Sequence, residues 1–327
     1  MLVIGAADVD CSLSNRLQDI VDAVASAYVK HEQGRNVNPN SCFLRFPERP
    51  EARIIALPAY LGDEDPIASV TGIKWIASFP GNITHNLQRA SAVLVLNNCE
   101  TGFPYAVLES SGISAHRTAA SAALAASVLG GPPESVGFVG GGVIARTIAD
   151  HLSASGRLAS DVRCCDLDPT SASRLACHVG TQAEVTSLEK ALSSDLVVLA
   201  TTAAVPYVAD TFRLRPGQLV LNISLRDLSP ASLLNCNNVL DDIDHCLKAD
   251  TTPHLLEQQL GHRDFVTGTL GGVLLNRVAL NPGRPTVFSP FGLGVLDLAV
   301  GSLVHRECVR TGRGTFVPDF FGETTRW

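Results

Sequence analysis

A glycine-rich segment in the middle of the chain has the residue types and spacing needed to bind a dinucleotide. Gly140, Gly142 and Ala145 form a G-x-G-x-x-A pattern between an apolar segment and a helical one. The first glycine permits a tight turn, the second lets backbone approach a pyrophosphate, and the small alanine brings helix and strand together. N–H groups at the helix start would bind phosphate. The pattern predicts cofactor contacts at Gly140, Gly142, Val143 and Ile144; the alternative is a glycine-rich turn that binds nothing.

An acidic residue ends the next predicted strand. Asp166 lies 26 residues after Gly140 and directly follows the segment Val162–Cys165. A carboxylate at this position accepts hydrogen bonds from the adenosine ribose and repels a 2′-phosphate, so we predict NAD rather than NADP as the cofactor. Asp168 is the alternative ribose ligand, but an Asp followed by Pro169 is typical of a helix N-terminus.

Polar residues also follow two later predicted strands, after residues 200 and 223. The carboxyl ends of parallel strands form the ligand-binding edge of an open α/β sheet, so both loops should face the cofactor. The predicted cofactor contacts in these loops are Thr202, Ser224, Leu225 and Arg226. Asp227 is the candidate general acid or base near the nicotinamide; the alternative is that it caps a short turn before Pro230.

Four basic residues among the first 117 residues lie in apolar or small-residue surroundings. Arg45 and Lys74 interrupt strand-like apolar segments, and Arg89 and Arg117 are followed by small residues. A buried cation is costly unless an anion pairs with it. The four residues therefore indicate a substrate rich in carboxylates, with structural salt bridges as the alternative.

Composition limits the class of protein. A chain of 327 residues with 46% hydrophobic and 17% charged residues predicts two well-packed domains. Its net charge of -7, without a basic stripe, argues against binding to nucleic acid. The nine cysteines contain no C-x-x-C pair, which indicates a reduced cytoplasmic protein without a metal site. The N-terminal sequence resembles neither a signal peptide nor a membrane anchor.

The first predicted domain comprises residues 1–116 together with about 302–327. It combines a helix with period-2 strand segments broken by Pro and Gly, which indicates an α+β domain with an antiparallel sheet. Its predicted elements are a helix at Leu17–Tyr28 and strands at Ser41–Phe46, Ala52–Tyr60, Ala68–Ala77 and Ala92–Asn97.

The second predicted domain, residues 117–301, alternates strands with helices. That alternation implies βαβ crossovers and a doubly wound parallel sheet of the Rossmann type, so the fold class is α/β. Its predicted elements are a helix at Ser114–Leu129, helices from Val143 and Ser171, and strands at Ser135–Val139, Val162–Cys165, Leu196–Ala200, Gln218–Ile223 and Val239–Asp242.

Taken together, the motifs resemble the ornithine cyclodeaminase/μ-crystallin family over essentially the whole chain. They are the Gly140 segment and the segments Gly72–Trp75, Glu100–Pro104, Arg117–Ala120 and Phe291–Leu293, the last leading to Asp297. Within the family, other segments are similar to the enzymes of 2,3-diaminopropionate biosynthesis in siderophore and antibiotic pathways. These segments are Gly72–Pro80, Arg89–Asn97, Ser224–Pro230 and Ala249–His254.

The resemblance implies a reaction. NAD-dependent oxidation and hydrolysis of N-(2-amino-2-carboxyethyl)-L-glutamate would give 2-oxoglutarate and L-2,3-diaminopropionate. Arg45 and Lys74 would bind substrate carboxylate, with Arg117 near both cofactor and carboxylate. Lys74 and Asp227 would be the catalytic residues, Asp227 as acid and base. The family also implies a homodimer formed through the sheet of the first domain.

Two other functions remain open from the sequence. An ornithine or lysine cyclodeaminase, or a ketimine reductase, would keep the fold and change the substrate. Cyclodeaminases usually have a Gly-Gly-Asp-like segment where this chain has Leu225-Arg226-Asp227, which favours the dehydrogenase. The other open function is that of a cofactor-binding protein without turnover, as in the crystallins. The presence of both Lys74 and Asp227 argues against it.

Overall fold

In a computed structural model of the chain, the structure describes residues 1–65 and 68–323. The chain forms two compact units, one made of Met1–Arg117 and the segment that begins at Leu293, the other of Thr118–Gly292. The second unit ends nine residues before the predicted boundary at residue 301, because helix α10 (Gly294–Thr311) packs as a whole on the first unit's sheet. The last four residues of the predicted tail lie outside the described residues.

The first unit is a mixed sheet with helices packed on it. The order of strands is β16-β1-β7-β6-β5-β4-β2, with β3 also pairing with β4. All pairs are antiparallel except β1 with β7, whereas the sequence predicted an antiparallel sheet and missed both of these strands. Its elements are β1 (Leu2–Ile4), α1 (Ala6–Leu13), α2 (Leu17–Glu32), β2 (Asn36–Val37), β3 (Cys42–Phe46), β4 (Arg49–Leu61), β5 (Val70–Ser78), a 3-10 helix (Pro80–His85), β6 (Ala90–Asn97), β7 (Pro104–Glu109), α10 and β16 (Thr315–Phe316).

The second unit is a parallel sheet in the order β10-β9-β8-β11-β12-β15-β13-β14, which confirms the predicted doubly wound α/β class. The strand order reverses between β8 and β11. Helix α3 (Ser111–Leu129) leads into this unit. The other elements are β8 (Ser135–Val139), α4 (Val143–Ala154), β9 (Asp161–Cys165), α5 (Pro169–Val179), β10 (Ala183–Val185), α6 (Leu188–Leu192), β11 (Leu196–Leu199), β12 (Leu219–Asn222), a 3-10 helix (Pro230–Leu233), β13 (Asn237–Leu240), α7 (Ile243–Cys246), α8 (Thr252–Leu260), β14 (Val266–Thr269), α9 (Leu270–Leu274) and β15 (Thr286–Ser289).

Helix α10 lies close against the sheet of the first unit because glycines line the contact. A Cβ at Gly294 would lie 3.2 Å from the Leu57 carbonyl oxygen, and one at Gly72 would lie 3.1 Å from Leu298. The helix is buried along most of its length. None of the helices in the described part of the chain is long and apolar enough to cross a membrane.

Gly72 provides a test of this packing. An alanine Cβ there would lie 2.1 Å from the carbonyl oxygen of Val95, a backbone atom that cannot move aside. We expect Gly72→Ala to lower the free energy of unfolding by about 1–3 kcal/mol, as overpacked cores do. Gly81→Ala is the matched control, since nothing lies within 4 Å of its Cβ position. Equal melting temperatures for the two variants would contradict the packing described.

Candidate functional site

The glycine segment forms a tight turn between β8 and α4. Gly140 has φ +98°, and a Cβ there would lie 2.5 Å from the Ala200 carbonyl oxygen. Gly141, which the motif left unassigned, is equally constrained, because its Cβ would lie 2.5 Å from the Ser171 carbonyl oxygen. Around Gly142 the space is open, and no side chain caps the first N–H groups of α4. This combination of a rigid turn and an open, uncapped helix N-terminus suits a pyrophosphate.

Asp166 lies at the end of β9 and holds the glycine turn. Its carboxylate accepts hydrogen bonds from the N–H of Gly141 at 2.6 Å and of Asp168 at 2.8 Å. A carboxylate has about four lone-pair sites, so capacity for ribose hydroxyls remains. Asp168 instead caps α5 through the N–H groups of Thr170 and Ser171, which is the role that its sequence context indicated.

Asp227 is fully buried and surrounded by hydroxyl groups. Thr201 donates to its Oδ1 at 2.8 Å, while Ser224 and Tyr207 donate to Oδ2 at 2.5 and 3.1 Å. Burial raises the pKa of Asp227, and the three hydroxyl hydrogen bonds oppose that rise. The alternative role as a cap is wrong, because Ser229 is the N-cap of the 3-10 helix that follows. A carboxyl group with a raised pKa among neutral donors is suited to exchanging a proton.

The other predicted cofactor contacts lie in the same loops. Thr202 is exposed after β11, and Ser224 Oγ lies within hydrogen-bond distance of two acceptors, the Leu199 carbonyl oxygen and Asp227 Oδ2. Leu225 adopts φ +78°, a conformation that L-residues other than Asn and Asp seldom take. Arg226 donates to the Ala249 carbonyl oxygen at 3.1 Å, and no ion pair with Arg226 is found in residues 1–65 and 68–323.

Lys74, Arg117 and Asp297 form a buried charge cluster in the first unit. Lys74 Nζ lies 2.7 Å from Asp297 Oδ2, and Arg117 Nε lies 3.3 Å from Oδ1. Lys74 and Asp297 are essentially inaccessible to solvent. Burial lowers the pKa of Lys74 to about 8, with Asp297 opposing this shift and Arg117 adding to it. Two cations share one carboxylate, which leaves one positive charge unbalanced.

A second group of cations lies further along the same sheet face. Arg45, Arg53 and Ser78 are directly opposite one another on β3, β4 and β5, and Arg89 donates to Ser78 Oγ at 2.9 Å. Ser78 is four residues after Lys74, so both point to the same face, with their Cα atoms about 13 Å apart.

The expectation that Arg45 is buried is wrong. It is exposed and stacks on Phe43, with the guanidinium carbon 5.3 Å from the ring centroid, because β3 pairs only with β4 and leaves its outer side open. Arg89 is partly buried, and desolvation lowers its pKa. In the described part of the chain neither Arg45 nor Arg89 forms an ion pair.

These sites can be compared with known proteins. The profile of the ornithine cyclodeaminase/mu-crystallin family matches residues 3–312. The chain belongs to this family. Among characterised members, N-((2S)-2-amino-2-carboxyethyl)-L-glutamate dehydrogenase of Staphylococcus aureus is 27% identical, covering 96% of this chain and 97% of the relative.

Solved structures of the family have the same fold. The Δ1-pyrroline-2-carboxylate reductase of Thermococcus litoralis, in complex with NADH and L-proline, has a TM-score of 0.89 at 22% identity and covers 97% of this chain and 100% of its own. An archaeal alanine dehydrogenase dimer with bound NAD has a TM-score of 0.87 at 23% identity, covering 98% and 99%.

Sequence reasoning missed several residues of these clusters. The sequence indicates Asp297 only as the end of a motif. Its partner Lys74 lies on β5, more than 200 residues before α10, so the pairing is visible only in the folded chain. Arg53 and Ser78 join Arg45 through strand register, which a careful alignment of the predicted hairpins could have indicated. Nothing in the sequence pointed to Thr201 and Tyr207 as partners of Asp227.

The charge cluster predicts that Lys74 is not needed for folding. In the unfolded chain its pKa is near 10.5, against about 8 in the folded protein. The unfolded chain therefore binds more protons between pH 8 and 10.5, so charged Lys74 lowers stability at pH 7, and this cost disappears as the pH rises through that window. We expect Lys74→Met to leave the free energy of unfolding at pH 7 unchanged or to raise it by at most about 3 kcal/mol. The melting temperature should therefore not fall.

Asp297→Asn is the matched comparison in thermal unfolding at pH 7. It leaves two buried cations without their carboxylate and should cost about 3–5 kcal/mol. If Lys74→Met destabilised the protein as much as Asp297→Asn, the charge of Lys74 would be structural.

Proposed function

We propose that this chain is an NAD-dependent dehydrogenase that converts N-(2-amino-2-carboxyethyl)-L-glutamate and water to 2-oxoglutarate and L-2,3-diaminopropionate. The observation that carries the proposal is the surplus of positive charge on one face of the first unit's sheet. The S. aureus relative, whose name states this substrate, supports the assignment along nearly the whole chain.

The surplus of positive charge offers partners for the carboxylates of the substrate. Among the described residues, Asp297 is the one carboxylate paired with Lys74 and Arg117, which leaves one positive charge. Arg45 and Arg89 add two positive charges that form no ion pair in the same part of the chain. The substrate carries three carboxylates, whereas an ordinary amino acid carries one. Ornithine would instead bring an additional ammonium group toward these cations, and like charges repel.

The second unit supplies the cofactor site. The open space at Gly142 and the uncapped start of α4 fit a pyrophosphate, and the Asp166 carboxylate fits an adenosine ribose without a 2′-phosphate. NAD, when bound, accepts a hydride from the glutamyl α-carbon of the substrate. Thr202, Ser224, Leu225 and Arg226 are the further contacts that we propose, on the loops after β11 and β12.

Asp227 supplies the proton chemistry. Oxidation of the amine gives an imine of the substrate, and hydrolysis of that imine requires a base that takes a proton from water and an acid that returns one to the departing amine. Burial raises the pKa of Asp227, which favours uptake of a proton, so that one carboxyl group can serve in both steps.

We also propose a homodimer formed through the exposed face of the first unit's sheet. Because side chains alternate between the faces of a strand, the face away from Lys74 is set by register. It presents exposed apolar side chains that a monomer would leave in water, as expected of an interface. These residues are Val3, Leu44, Tyr60, Trp75 and Val93.

The cofactor assignment is tested by Asp166→Ser. Because the variant also loses the hydrogen bond to Gly141, the ratio of the dissociation constants for NADP and NAD is the informative quantity. We expect this ratio to be above one in wild type, which prefers NAD. In the variant the ratio should be lower by about tenfold or more, because a 2′-phosphate no longer meets a carboxylate. Asp168→Ser, which replaces one helix-capping side chain by another, should leave the ratio unchanged. Equal affinities in wild type would refute the role of Asp166.

The reaction is tested by following NADH and 2-oxoglutarate together. With the proposed substrate and NAD, both products should appear in equal amounts, and ornithine should give neither. Arg89→Met should raise KM at least tenfold while Arg310→Met, an exposed arginine change, should not. Asp227→Asn should bind NAD but lose about 100-fold or more in kcat. Release of proline and ammonia from ornithine without net NADH would show a cyclodeaminase instead.

A further inference from the structure

Asp227 has no direct access to water, although the proposed reaction requires it to exchange protons. Its exposed fraction is 0%, and both carboxylate oxygens already accept hydrogen bonds. Within the described part of the chain, a proton can therefore reach or leave Asp227 only through one of the three hydroxyl groups that donate to it. Of these, Tyr207 is the most exposed, at 38%.

The other two hydroxyls have different hydrogen-bond duties. Thr201 Oγ1 donates to Asp227 and accepts from the N–H of Ala203 at 3.2 Å, so it bridges two protein groups. Ser224 Oγ lies within reach of two acceptors, Asp227 and the Leu199 carbonyl oxygen at 3.0 Å, but has only one proton to donate. Ser224 can therefore donate to ionised Asp227, or turn its proton to Leu199 and accept from protonated Asp227.

This arrangement satisfies the carboxyl group in both protonation states, which a purely structural buried aspartate does not need. Tyr207 is held in the same position in either state, because the backbone carbonyl of Asp227 accepts hydrogen bonds from the N–H groups of Tyr207 and Val208. The segment that carries the phenol is thus fixed to the residue that the phenol contacts.

We propose that Tyr207 is the proton-relay residue of this site, passing protons between Asp227 and a water or substrate amine at its exposed side. The inference rests on the proposed function for the role of Asp227. In the hydrolytic step, the attacking water loses a proton to Tyr207 Oη as Tyr207 passes its own proton to Asp227 Oδ2. One water O–H bond and one phenol O–H bond break while a new phenol O–H bond and a carboxyl O–H bond form. The reverse transfer returns the proton to the departing amine nitrogen.

The phenol remains protonated throughout the working pH range. Burial and the neighbouring carboxylate of Asp227 both raise the pKa of Tyr207. Tyr207 therefore acts by receiving one proton as it releases another, and not by forming a stable phenolate.

A pH jump observed by time-resolved infrared spectroscopy tests the relay without any substrate. The carbonyl band of protonated Asp227 is identified in the full-length protein by its absence from Asp227→Asn. We expect Tyr207→Phe to slow the appearance of this band at least tenfold, while Tyr105→Phe, the same chemical change elsewhere, leaves its rate unchanged. An unchanged rate in Tyr207→Phe would overturn the proposal.

Turnover gives the second test. With the proposed substrate, Tyr207→Phe should lower kcat at least tenfold without changing the affinity for NAD, and imidazole in the buffer should restore part of kcat. Imidazole should not rescue Asp227→Asn. If imidazole has no effect on Tyr207→Phe, the residue is structural. If wild type does not turn over the substrate, the proposed function fails, and the infrared rate still decides the role of Tyr207.

Discussion

The fold of the first unit depends on a single buried carboxylate. Asp297 on α10 pairs with Lys74 on β5 and Arg117 on α3, so one ionised side chain connects three elements. In a medium of low polarity, the two cations are tolerable because they share the carboxylate of Asp297. The glycines at the contact of α10 with the sheet bring the helix close enough for this pairing.

Two buried carboxyl groups in this chain have opposite surroundings. Asp297 lies between the cations Lys74 and Arg117, whereas Asp227 lies among neutral hydroxyls in a site whose burial raises its pKa. The physical difference is that two cations contact Asp297, whereas the side chains that contact Asp227 are neutral hydroxyl donors. Asp297 is thus the counter-ion of two cations, and Asp227 is the carboxyl group for which we propose proton exchange.

The cofactor edge of the second unit shows how a sequence motif is completed by contacts that the motif does not contain. Glycine is needed at positions 140 and 141 because a Cβ at either would lie 2.5 Å from a backbone carbonyl oxygen, that of Ala200 or of Ser171. Asp166 then fixes the turn through the Gly141 N–H. The carboxylate that we propose as the ribose ligand thus also shapes the glycine turn.

The sequence by itself determined the parallel α/β class, the turn at Gly140 and the position of Asp166, because period, glycine spacing and strand ends are local properties. It also marked Asp227 and Lys74 as unusual. Only the tertiary structure decided their partners. Strand register brings Arg53 and Ser78 beside Arg45, α10 brings Asp297 to Lys74, and a loop fold brings Tyr207 to Asp227. The exposure of Arg45 was decided in the same way, because an edge strand looks like any other strand until its neighbours are known.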